Sequence, residues 1–371
     1  MSTESRAPAR RIRVLVVDDS AYNRQTIAQI LEQDPGLEVV GRAADGEEAL
    51  AKVFQLQPDV LTLDLEMPKM DGFQLLRLIM AQRPTPVIVI SGLASRENVF
   101  RALELGALDF VAKPSQKLTP ELRSIEGELR RKIELVTQLR MVSLSDRAAR
   151  RAPAPTTPMG VPAFNPAASP ANPGQAPDRV LAIGASTGGP PAIQQLLSSL
   201  DATMPISVLI TQHMPPRFTT TFAERLARTT GWRVEEARGG EALCVGLALV
   251  APGGSSLAVR RDGSLVRTEV IPATPDDLFI PSVDRMFTTA AAAFADRLLA
   301  VVLTGMGSDG VRGARAVRAA GGRVIAESRE SAVVFGMPQE VIAAGLVDEV
   351  LSLAQMPPAL TRILRGEAGK V

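Results

Sequence analysis

The chain has 371 residues, more than one average domain and few for three, and 46% of them are apolar, enough to bury sizeable cores. Its 41 basic and 40 acidic residues leave a formal charge of +1, which excludes bulk electrostatic binding to nucleic acid or to an anionic membrane. A lone cysteine, Cys244, excludes an intrachain disulfide framework and reads, within Ala242-Leu243-Cys244-Val245, as a small buried hydrophobe in a reducing compartment.

Residues 1–13 are polar and basic, without the apolar segment of a secretory signal. The most apolar long stretch, 290–302, is broken by Asp296 and Arg297, so no membrane span is expected and a cytoplasmic location is. Apolar runs at 12–17, 37–41, 60–63, 87–90 and 110–112 predict strands, and the spacing between them predicts helices over 22–32, 46–55, 72–81 and 98–105. Five βα repeats of this kind predict a doubly wound α/β domain on a parallel sheet. The stretch 118–140 has helical spacing and many charges; it is expected to close the domain and continue as an exposed helix toward residue 151.

Asp18 and Asp19 end the first predicted strand and Asp64 ends the third. The carboxyl ends of parallel strands face one crevice, and three carboxylates converging there repel one another unless a hard cation such as Mg²⁺ lies between them. Ser91 and Lys113 close the same edge with a hydroxyl and an ammonium, a set suited to accepting a phosphoryl group. Singly, each of these residues is more often part of a turn. Together, with Val-Asp-Asp-Ser at 17–20, Asp-Leu-Glu-Met-Pro-Lys-Met-Asp-Gly at 64–72 and Asp-Phe-Val-Ala-Lys-Pro-Ser at 109–115, the segment resembles a response-regulator receiver domain of flavodoxin-like fold. The resemblance implies that Asp64 accepts phosphate from a histidine kinase and that Asp18, Asp19, Asp64 and the backbone carbonyl of Glu66 hold Mg²⁺. It further implies that Ser91 and Lys113 sense the phosphoryl oxygens and that Phe110 reorients on activation.

Residues 151–177 are rich in Pro, Ala, Thr, Ser and Asn and cannot form a core. The expected division is therefore a first domain over 10–135, a helix end and linker over 136–177, and a second domain over 178–368. In the second half, strands are expected at 180–183, 207–211, 248–251, 299–303 and 322–326, and helices at 190–200, 217–229, 283–295 and 311–320. Residues 254–267, containing Asp262-Gly263, predict a hairpin.

Gly184-Ala185-Ser186-Thr187-Gly188 fits the G-x-S-x-G turn that exposes a serine hydroxyl, a pattern that by itself also serves phosphate cradles. His213, the one histidine of the chain, comes after a predicted strand, and Asp309 after another. A histidine alone is most often structural, and Asp309 alone reads as a helix N-cap. Serine, histidine and acid on one edge of one sheet meet the needs of nucleophilic catalysis. The chain order argues against an α/β-hydrolase, which runs serine, acid, histidine.

With Ile183-Gly184-Ala185-Ser186-Thr187-Gly188-Gly189-Pro190, Thr211-Gln212-His213-Met214-Pro215, Pro281-Ser282-Val283-Asp284 and Leu303-Thr304-Gly305-Met306-Gly307-Ser308-Asp309-Gly310, this half resembles the catalytic domain of chemotaxis protein-glutamate methylesterases. That implies a larger Rossmann-like α/β domain with a hairpin, working without a cofactor. It implies Ser186 as nucleophile, His213 as base and Asp309 as orienting acid, with Thr187 supporting the turn and Met306 giving an oxyanion N–H. The reaction implied is phosphorylation-activated hydrolysis of glutamate γ-methyl esters on chemoreceptors, with deamidation of receptor glutamines as a second activity. A monomer is expected, with no nucleic-acid partner and no membrane insertion. The chain departs from the family at Ser255-Ser256, where a histidine is frequent, and at Phe279-Ile280, where a polar or basic residue is; neither position is expected to touch the triad, and both are expected where substrate or receiver surfaces meet.

Overall fold

The computed structural model describes residues 10–92, 96–113, 125–135, 174–275 and 277–366. It divides into two compact units, Met1–Ala152 and Pro153–Val371, each with its own sheet and core.

The first unit runs β1 (Ile12–Val17), α1 (Ala21–Glu32), β2 (Leu37–Ala43), α2 (Gly46–Leu56), β3 (Val60–Leu63), α3 (Gly72–Gln82), β4 (Val87–Ser91), α4 (Arg96–Glu104), β5 (Asp109–Ala112) and α5 (Glu126–Glu134). Its five strands are parallel in the order β2-β1-β3-β4-β5. Every residue of β3 and β4 is buried, as both faces of a helix-covered parallel sheet require. Ser20, Asp45 and Asp71 cap α1, α2 and α3 by accepting from the N–H three residues on.

Within 118–140, α5 closes the unit over its described length, with one face packed inward. Leu129 and Ile133 are fully buried, because their spacing of four puts both on one face. The remainder of that stretch lies outside the described residues.

The second unit runs β6 (Arg179–Ala185), α6 (Gly189–Ser198), β7 (Ile206–Gln212), α7 (Phe218–Thr230), β8 (Arg233–Glu236), β9 (Leu247–Val250), β10 (Ser255–Asp262), β11 (Leu265–Pro272), α8 (Val283–Phe294), β12 (Leu298–Val302), α9 (Val311–Ala319), β13 (Arg323–Glu327), α10 (Met337–Ala343), β14 (Glu349–Leu351) and α11 (Met356–Leu364). Seven parallel strands lie in the order β14-β13-β12-β6-β7-β9-β8, with β10 and β11 apart as an antiparallel hairpin. The sheet therefore grows from β6 in both directions. Its switch point, where such sheets bind ligands, is at the carboxyl end of β6. Val283, Met286, Phe287 and Ala290 of α8 pack into the core cluster beside Leu257 and Val259 of the hairpin.

Sequence patterning misses the edge strands β8 and β14, because β8 carries Arg and Glu in place of an apolar run and β14 is only three residues long. Cys244 is half-buried against the core, not fully enclosed. Among the described residues, no helix is long and apolar enough to cross a membrane.

Candidate active site

In the first unit, single carboxylate oxygens of Asp18, Asp19 and Asp64 all lie within 4.8 Å of one another at the sheet's carboxyl edge. Lys113 Nζ donates to Asp18 Oδ2 at 2.9 Å and to Asp64 Oδ2 at 2.5 Å. Burial pulls the Lys113 pKa down, but the two carboxylates outweigh it and hold the ammonium above its ordinary value. Burial raises Asp18, with Lys113 opposing and Asp64 adding to the rise. The donor set is all oxygen, hard and anionic, and fits a magnesium ion. Ser91, also buried, ends β4 on this edge. Phe110 is 3% exposed, and the Lys132 ammonium of α5 lies 5.1 Å over its ring.

The second unit brings three strand ends together by backbone pairing. Leu303 N–H donates to Gly184 O at 2.9 Å, Ser186 N–H to Thr304 O at 3.0 Å and His213 N–H to Ala185 O at 3.1 Å. Ser186 is the first residue past β6 and His213 the first past β7, so adjacent strands deliver them side by side.

His213 Nε2 lies 2.8 Å from Asp309 Oδ2. With Nε2–H donated to the carboxylate, Nδ1 carries the free lone pair, the reverse of the usual tautomer arrangement. Phe279, expected to stand clear of these residues, instead stacks its ring on the imidazole, centroids 5.2 Å apart and planes 10° from parallel.

Asp309 sits on the N-terminus of α8. Its Oδ1 accepts from Ser282 Oγ (3.2 Å) and Asp284 N (2.8 Å), and its Oδ2 accepts from Val283 N (2.7 Å) as well as from the histidine. Orphan helix N–H groups and the helix dipole both favour the anion. Asp284 returns the exchange: its Oδ1 accepts from Gly310 N and Gly313 N at the start of α9, and its Oδ2 from Arg312 Nε. Two helices thus cap each other, and one of the two capping carboxylates is the partner of His213. Ser256 of the hairpin continues the chain, accepting from Ser282 N at 3.1 Å.

On the other side of Ser186, Thr304 ties the loops together. Its N–H donates to buried Glu327 (2.8 Å), its hydroxyl to Thr187 O (2.9 Å), and its carbonyl takes the Ser186 N–H. Gly305 approaches so closely that an added Cβ would lie 2.8 Å from Ser186 Cβ. Thr187 is buried, and the half-buried Met306 offers an N–H with no acceptor among the described residues. Ser186, His213 and Asp309 therefore share one edge, as their strand-end positions led one to expect. Of the residues that support them, Ser282, Asp284 and Thr304 stand in the sequence motifs and Ser256 at a departure from the family, whereas no local pattern marks Glu327.

A family model described as CheB methylesterase matches residues 181–360, and one described as response regulator receiver domain matches residues 14–123. A Geobacter sulfurreducens protein-glutamate methylesterase/protein-glutamine glutaminase is 47% identical over 356 residues, covering 94% of this chain and 96% of its own. The chain belongs to this family. A Myxococcus xanthus member is likewise 47% identical over 354 residues, covering 95% of this chain and 97% of its own. The crystal structure of the Thermotoga maritima CheB methylesterase catalytic domain is 37% identical and covers 50% of this chain and 98% of its own, with a TM-score of 0.49. The acidic pocket thus belongs to a receiver domain and the serine edge to a methylesterase domain, and the chain is a hydrolase with a receiver attached.

Proposed function

We propose that this chain hydrolyses glutamate γ-methyl esters on chemoreceptors through Ser186, His213 and Asp309, and that phosphorylation of Asp64 switches the activity on. The observation that carries the reading is the 2.8 Å bond between His213, the chain's one histidine, and an acid built into a helix N-terminus beside the Ser186 turn.

Ser186 Oγ attacks the ester carbonyl as His213 Nδ1 takes its proton, and Asp309 stabilises the imidazolium. The unbonded Met306 N–H serves the oxyanion, an effect worth about 3–4 kcal/mol per donor. Methanol leaves with the proton from His213. Water then cleaves the acyl-enzyme by the same base, releasing the free glutamate. A glutamine side chain takes the same route with ammonia as leaving group.

In the receiver, Asp18, Asp19, Asp64 and the carbonyl of Glu66 would hold Mg²⁺, whose charge offsets that of an incoming phosphoryl group. Lys113, already bonded to Asp18 and Asp64, and Ser91 would meet the phosphoryl oxygens once Asp64 carries them. A histidine kinase is the donor. The receiver (10–135) and catalytic domain (178–368) share a linker (136–177) that holds them at high effective concentration. Docking of the unphosphorylated receiver over the cleft then inhibits, and phosphorylation releases it.

The test is methanol release from methyl-labelled receptor membranes, with and without acetyl phosphate. Release stimulated by the donor is expected, absent in His213→Ala and unstimulated in Asp64→Ala. No release from wild type with Asp64 demonstrably labelled would overturn the reading.

A further inference from the structure

Gln212, the last residue of β7, is 2% exposed and spans the gap between the two working loops. Its Nε2 donates to Ser186 O at 2.9 Å and to His213 O at 3.1 Å. One planar amide thus holds the carbonyl of the nucleophile and the carbonyl of the base. Two acceptors on one nitrogen also fix which end of the amide is which. The other end, Oε1, is buried without a hydrogen-bond partner among the described residues. It faces Gly189 at the start of α6, where it leaves no room for a Cβ.

Leaving an amide oxygen buried and unpaired is costly, and native interiors rarely tolerate it. An apolar side chain of the same length would avoid that cost, yet it would sever both carbonyl contacts. The backbone bond from His213 N–H to Ala185 O pairs the two strands but stops one residue short of Ser186. The amide extends that pairing to the reacting residues themselves.

We infer that Gln212 is a positioning residue for the esterase reaction, setting the distance and orientation between Ser186 and His213 at some expense in stability. The inference rests on the proposed roles of those two residues. Gln212 touches neither substrate nor reacting atoms; it acts on their main chain. A misplacement of about 1 Å between nucleophile and base costs on the order of 100-fold in rate.

The experiment compares full-length wild type, Gln212→Met and Gln212→Glu, all with acetyl phosphate. Methanol release is measured over a range of methylated receptor concentration, and Ser186 labelling by a fluorophosphonate is measured without receptor. Methionine keeps the length and removes both donors together with the unpaired oxygen. Expected for Gln212→Met are a kcat lower by roughly 10- to 100-fold, KM within about twofold, slower labelling by a similar factor, and a thermal midpoint equal to wild type or higher. Gln212→Glu sets carboxylate oxygens against both carbonyls, and an equal or larger loss in kcat and labelling is expected; it carries the test alone if the methionine variant does not fold.

Wild-type kcat and labelling in a folded variant would overturn the inference. A fall in kcat matched by a fall in thermal midpoint, with labelling unchanged, would also overturn it, leaving Gln212 structural. Ser186→Ala and His213→Ala run in parallel separate the two readings, since activity retained in those would overturn the catalytic assignment itself.

Discussion

At the scale of single atoms, Asp309 has both carboxylate oxygens engaged by donors. Every bond that Asp309 forms with Ser282, Val283, Asp284 and His213 is one in which it accepts. Asp309→Asn must therefore turn an NH₂ toward a donor whichever way the amide lies. The expected result is a loss of about 1–3 kcal/mol in unfolding free energy, with kcat down by roughly 10³–10⁴-fold as the imidazole loses its fixed tautomer. Denaturant titration and methanol release check the two halves of that statement. Gly305→Ala is a steric counterpart: its Cβ would meet Ser186 Cβ at 2.8 Å and Met337 Sδ at 2.5 Å. Activity should fall on the order of 100-fold, with fluorophosphonate labelling of Ser186 falling alongside. Ser186, His213 and Asp309 were legible in the sequence because each comes after an apolar run. Gln212 was not, since a polar residue at a strand end looks the same whether its amide meets water or two buried carbonyls.

Helices and strands carry these atoms, and here the exchange between α8 and α9 decides most. Asp284 satisfies Gly310 N and Gly313 N of one helix while Asp309 satisfies Val283 N and Asp284 N of the other. Asp284→Ala leaves two orphan donors and frees the loop bearing Asp309. Its expected cost is about 1–2 kcal/mol, with a larger fractional loss in kcat than in KM, measured by chemical unfolding and steady-state kinetics. In the receiver, Lys132 of α5 bonds Asp109, Glu128 and the Phe110 carbonyl. Burial pulls the Lys132 pKa down, but Asp109 and Glu128 carry it above the ordinary 10.5. A raised amine pKa stabilises the fold fully below the unfolded value, and the contribution is lost as pH climbs through the folded one. Lys132→Met should cost about 3 kcal/mol by removing the ammonium that offsets the buried Asp109 charge. The gap from wild type should hold steady at neutral pH and close only above about 10.5, as urea midpoints across pH would record. Charged, amphipathic residues at 126–134 betray a helix, whereas the burial of one lysine among them depends on which element it lands against.

As a molecule, the chain is two units with separate sheets and cores. Residues 178–371 expressed alone should therefore fold, and if the receiver occludes the cleft their ester hydrolysis should exceed that of the unphosphorylated full chain. Equal rates in that comparison would remove occlusion as the mode of control. The sequence by itself determined the division into two α/β halves, the strand-end positions of Asp18, Asp64, Ser186, His213 and Asp309, and the absence of any second histidine to compete. Period and composition are local properties, and a parallel sheet sends every strand's carboxyl end to one edge. Only the tertiary structure decided that Asp309 rests on the N-terminus of α8, that Asp284 answers it from that helix, and that Gln212 bridges Ser186 and His213. Apart from the bond between neighbouring Gln212 and His213, those contacts join residues 25 to 29 positions apart in the chain. No local pattern encodes them, because they arise from how packed helices and strand register align backbone donors with side-chain acceptors.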